Sequence, residues 1–89
     1  MNLQMTGWEW ANQPVIPELP DNEDGIVEFA IECDENGVIT RVETVTRTLS
    51  PRAVELLKEM IRKNELIRTS GGAPKARSTG KFLFRLRAK

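Results

Sequence analysis

The sequence predicts an α+β fold: a three-stranded antiparallel sheet in the order 2-1-3, with one main helix packed on one face. Three observations carry this. Residues 25–33 and 38–47 alternate apolar and polar side chains on either side of an Asn36-Gly37 pair. Residues 51–63 change to helical periodicity, and residues 81–87 return to alternation.

The 89 residues suffice for one domain with a modest core. With 39% hydrophobic and 29% charged residues, the chain reads as globular rather than disordered. No run is long and apolar enough to span a bilayer, and the N-terminus lacks a charged-then-apolar signal pattern. The expectation is a cytosolic protein or a piece of a longer one.

Residues 1–24 hold Pro14, Pro17 and Pro20 and end in an acidic cluster. Proline fixes φ and removes a backbone donor, so this stretch is expected to be an extended arm, with short edge pairing around Val15-Ile16. Trp8 and Trp10 fall on one side of an extended arm, where they can cover part of the core. The folded domain is expected over residues 25–89.

In "GIVEFAIEC", Val27, Phe29, Ile31 and Cys33 share one face, with Glu28 and Glu32 on the other. "DENG" follows as a hairpin signal, because Asn and Gly tolerate positive φ. A loop of two residues or of four places Val38 and Val42 of the β-branched return strand on the Phe29 face. Glu32 and Arg41 then oppose each other on the other face. Ser50 is a good N-cap and Pro51 suits the first helical position. Ala53, Leu56, Leu57, Met60 and Ile61 form the apolar stripe that must lie on the sheet, and Leu66 and Ile67 extend the contact. "TSGGAPKARSTG" is a loop by composition. It fails as a phosphate-binding loop, because Lys75 stands at the first glycine position and Phe82 replaces the Ser/Thr.

The terminal strand puts Phe82, Phe84 and Leu86 on the core face and Lys81, Leu83, Arg85 and Arg87 on the other. Charge places it beside the first strand. Residues 1–50 hold ten acids and two bases, and residues 51–89 three acids and eleven bases, so the halves carry −8 and +8. In the order 2-1-3, Glu28 and Glu32 face Arg85, Arg87 or Lys81, and the basic end is neutralised within the fold. With no net basic excess, nucleic-acid binding is not expected. Cys33 is the only cysteine and histidine is absent, which excludes an internal disulfide, a Cys/His metal site and any imidazole-based triad. Cys33 reads as a small core residue. No enzymatic site and no cofactor are expected.

The strand and turn "GIVEFAIECDENGVI", the helix "SPRAVELLKEMIRK" and the glycine-preceded strand "GKFLFRLRAK" together resemble the C-terminal domain of the TonB family. These are energy transducers between the two membranes of Gram-negative bacteria. The "GWEW" lead-in is similar to that of a subset of such domains. The resemblance covers about residues 25–89. It implies a periplasmic, noncatalytic, cofactor-free interaction module at the end of a protein with an upstream inner-membrane anchor. By the same resemblance, a short extended segment of an outer-membrane transporter, the TonB box, adds as a strand to the edge of the last strand. Here that strand is Lys81, Phe82, Leu83, Phe84, Arg85, Leu86 and Arg87, with Trp8 and Trp10 as candidate contacts from the arm. The chain departs from the family pattern before the first strand, where a Tyr-Pro segment and short helix are absent. It departs again after the main helix, where Leu66-Ile67-Arg68-Thr69 replaces an aromatic-x-x-Pro. The alternative expectation is a structural or sensory envelope appendage whose edge strand is blocked by the arm or used for self-association as a homodimer.

Overall fold

The computed structural model describes residues 2–16, 23–69 and 76–87. Pro17, Pro20 and residues 70–75 of the glycine-rich segment lie outside the described residues. In chain order the elements are β1 (Asn2–Gln4), β2 (Trp8–Trp10), β3 (Gly25–Asp34), β4 (Ile39–Arg47), α1 (Pro51–Arg62), β5 (Leu66–Arg68) and β6 (Arg77–Leu86).

The class is α+β, with the three predicted strands in the predicted order: β4, β3 and β6 lie side by side and antiparallel. The sheet is nevertheless not three-stranded. β1 pairs antiparallel with the outer side of β6, giving the order β1-β6-β3-β4, and β2 with β5 forms a second, two-stranded sheet. The arm's edge pairing is thus at residues 2–4 and 8–10, not at Val15-Ile16, which are exposed and outside any strand. β6 also starts at Arg77, four residues before the predicted Lys81, because the ten residues of β3 give it a continuous partner from Gly25↔Leu86 to Asp34↔Arg77.

The core follows the alternation. Val27, Phe29, Ile31, Phe82 and Phe84 are almost wholly buried beneath Ala53, Val54, Leu57 and Ile61 of α1. Phe84 packs edge-on to both Phe82 and Phe29, with ring centroids 4.5 and 6.3 Å apart. The helix is rotated from the predicted stripe: Val54 is buried, Leu56 is exposed and Met60 only partly covered. Both rotations keep Ala53, Leu57 and Ile61 inward, so periodicity alone does not choose between the flanking positions. Ser50 caps α1 by accepting from the Ala53 N–H at 3.3 Å, with Pro51 opening the first turn.

Of the two expected loop lengths the longer is found: four residues, Glu35 to Val38, join β3 to β4. Gly37 N–H donates to the Asp34 carbonyl, and Asp34 N–H to the Val38 carbonyl. Gly37 takes φ 82° and no side chain fits there, since a Cβ would stand 1.8 Å from the Leu66 carbonyl oxygen. An irregularity then pairs Cys33 with Ile39 but Glu32 with Arg41. The extra residue shifts parity, so Ile39 takes the inward place predicted for Val38, which is exposed; Val42 is buried as expected. Leu66 is buried with Met5 and Cys33 in a second cluster, whereas Ile67, opposite Glu9, is exposed.

Candidate peptide-docking edge

The side chains of the terminal strand divide as predicted. Phe82 and Phe84 belong to the core, Lys81, Arg85 and Arg87 are exposed, and Leu83 and Leu86 are half-buried. What a docking segment could reach on this strand is therefore its backbone and its basic side chains.

Two hydrogen bonds fix which backbone groups those are. The Ile26 carbonyl accepts from the Thr48 N–H at 2.8 Å, and the Asp34 N–H donates to the Val38 carbonyl at 3.0 Å. Successive residues of an antiparallel strand present their N–H and C=O groups to opposite sides. Even-numbered residues of β3 thus face β4 and odd-numbered ones face β6. The unbroken β3–β6 register then turns Ser78, Gly80, Phe82, Phe84 and Leu86 inward, and Thr79, Lys81, Leu83 and Arg85 outward. This settles a parity that the sequence leaves open.

The outward side is partly occupied. β1 lies on it in the register Asn2↔Leu83, Leu3↔Phe82 and Gln4↔Lys81, so Leu83 and Lys81 face Asn2 and Gln4. Gly80 lets the following turn close down: a Cβ there would stand 2.5 Å from Met5 Cβ and 2.8 Å from the Gln4 carbonyl oxygen. Past Leu83, the outward groups of Arg85 lie beyond the last paired residue of β1. Arg85, Leu86 and Arg87 there join Asp24, Gly25 and Ile26 around an open depression of about 310 Å³.

Trp8 and Trp10 do share one side, and both are half-buried against the core. Trp10 packs edge-on against Phe82 at 4.9 Å and bridges the two apolar clusters; Trp8 joins the second. The Trp10 indole N–H is buried with no hydrogen-bond partner. A buried unpaired donor costs stability, so the ring's value here is apolar.

The predicted charge pairing is displaced. Glu28 lies opposite Leu83 and Glu32 opposite Thr79, while Lys81 faces Ala30 and Arg85 faces Ile26. In this register Lys81 falls between Glu28 and Glu32 on the facing strand, and Arg77 lies opposite Asp34. Glu32 instead meets Arg77 diagonally at 3.4 Å. Glu32 and Arg41 are opposed as predicted, but Glu32 accepts from the Thr40 hydroxyl at 3.3 Å and Arg41 bonds Glu43.

Among the described residues, two titratable groups are perturbed for visible reasons. Glu23 accepts from the Ser50 hydroxyl at 2.6 Å and the Ser50 N–H at 2.8 Å, which holds its carboxyl below the usual range. Cys33 is fully buried, and burial together with the neighbouring Asp34 and Glu32 carboxylates pushes its thiol up, away from the reactive thiolate. Among the described residues no cluster of carboxylates and thiols suits a metal ion, and no helix is long and apolar enough to cross a membrane.

The sequence pointed to the terminal strand but missed β1, Met5 and Gly80, which decide how much of its edge is open. A glycine inside an alternating strand is the signal that could have found them, since it marks a close approach of backbone or side chain. No protein-family model, curated protein or solved structure matches the chain.

Proposed function

We propose that this chain is a noncatalytic periplasmic interaction module of TonB type. In this reading it captures an extended peptide of an outer-membrane transporter by strand addition to the outer edge of β6. One observation carries it: that edge already holds an extended segment, β1, and its outward backbone groups continue past it at Arg85. Strand addition draws its affinity from main-chain hydrogen bonds and its specificity from alternate side chains. A peptide enters at Arg85 and extends toward Lys81 only by displacing β1. The basic side chains of Lys81, Arg85 and Arg87 favour an acidic or carboxylate-bearing segment. The inner-membrane anchor belongs to the protein upstream of these residues.

The second reading, an envelope appendage with its edge closed, is favoured by β1 itself, which covers Lys81 to Leu83. Titration with a TonB-box peptide from the same organism, followed by amide shifts, separates the two. Capture gives shift changes along β6 that Arg85→Pro removes without unfolding the chain, since the N–H of Arg85 points outward. Gln4→Pro, which loosens β1, then strengthens binding. If neither the parent nor Gln4→Pro responds to the peptide, the edge is closed and the appendage reading stands.

A further inference from the structure

The sheet has a second edge. Nothing among the described strands pairs with the far side of β4, and the same alternation identifies its outward groups. Thr48, Thr46, Glu43 and Arg41 oppose the even-numbered residues of β3 and face inward, so Val42 and Thr44 face out. Two irregularities bracket this stretch. The register skips Thr40 between Ile39 and Arg41, and skips Val45 between Thr44 and Thr46. Regular pairing geometry is thereby confined to Arg41–Thr44, which is short for an aggregating edge and long enough for a specific one.

We propose that β4 pairs antiparallel with β4 of a second copy of this chain, about a two-fold axis at Val42. Three symmetric registers bring outward groups into opposition within this stretch. Centring on Glu43 sets Glu43 against its own copy, and centring on Thr44 sets Thr44 against its own copy and Glu43 against the skipped Val45, with no opposite charges paired. Centring on Val42 places Arg41 of each chain opposite Glu43 of the other, twice. Like charges directly opposite destabilise a pair and opposite charges stabilise it, so charge alone selects the third register. Arg41 and Glu43 project from the polar face with 63% and 56% of their side chains exposed and already bond each other within the chain. Pairing would join two such bonds into a ring of four alternating charges. A two-fold contact of this kind closes on itself and does not propagate into a filament.

The resulting sheet runs β1-β6-β3-β4 and back through the second copy, with the two β1 strands, and the β6 edges they partly cover, at its opposite ends. The pairing goes beyond the peptide-capture reading and does not depend on it, because the two use different edges. A ladder this short buries less than a stable dimer interface requires, so the association is weak and shows at high chain concentration.

Sedimentation of Arg41→Glu, Glu43→Arg, their equimolar mixture and the double variant tests it. The parent should dimerise at millimolar concentration. Each single variant, which sets like charges against each other between copies, should associate at least about tenfold more weakly. The mixture should form a heterodimer, since one variant carries acids at both positions and the other carries bases at both. The double variant should recover the homodimer. Loss of only the internal Arg41–Glu43 bond would weaken both singles but could not be rescued by mixing. A monomeric parent, or a dimer indifferent to these reversals, overturns the proposal. Far-ultraviolet circular dichroism confirms that each variant is folded, and the double variant keeps the test decisive should a single one unfold.

Discussion

Met5 sits so close over Gly80 that a Cβ at position 80 would stand 2.5 Å from its own. That approach joins the start of the chain to its last strand. Gly80→Ala should therefore push β1 and the turn after it outward and cost about 1–3 kcal/mol, the range for overpacking. Hydrogen exchange gives the sharper readout. The outward N–H groups of Lys81 and Leu83 should lose protection, while the inward ones of Phe82 and Phe84 keep it. Equal loss at both sets would mean that β1 is not a separable strand.

Phe84 is completely buried between sheet and helix, against Phe29 and Phe82. Phe84→Ala should lower stability by roughly 3–5 kcal/mol through lost burial and the cavity left behind. Chemical denaturation measures it, and a midpoint close to the parent's would remove Phe84 from the core.

Glu23 links the end of the arm to the start of α1 through both Ser50 groups. Its carboxyl is held below the ordinary value of 4.5 by these bonds, so folding favours the ionised form. The stability it adds is fully present above that ordinary value and fades as pH falls through the lower, folded-state value. Glu23→Gln should flatten this acid limb of the stability curve while leaving the neutral region less changed in slope. An acid limb identical in the two proteins would show that the Ser50 bonds do not favour the ionised carboxylate.

The basic terminal strand β6 lies beside the acidic strand β3, with Arg77 meeting Glu32. A fluorescence titration with DNA or RNA at near-physiological salt should accordingly show no binding at low micromolar chain concentration. Tight binding with a steep salt slope would revive a nucleic-acid role, because that slope counts uncompensated basic contacts.

The parts of the fold legible in the sequence are those with a period to read. Val27 to Cys33, the Gly37 turn and the Ser50-capped helix each span enough residues for alternation or helical spacing to declare itself. β1, β2 and β5 have three residues each, too few for periodicity, and find their partners far along the chain. The same limit governs the candidate site. The basic and apolar parity of residues 81–87 was readable, but the occupant of its edge depends on Asn2–Gln4, whose pairing leaves no local trace. Val38 went astray for a related reason: one skipped residue near Thr40 reverses every assignment before it.

The pairing of Asn2 with Leu83 also sets an order of events in time. The β3–β4 hairpin closes over a four-residue connection and can form as soon as Arg47 is available. β1, the earliest described strand, has no partner until the last one exists, and closing so long a loop is the slower, entropically costlier step. During synthesis the first strand must wait, unpaired, for nearly the whole chain to follow it. The outer strand of the sheet is thus first to be made and among the last to be placed.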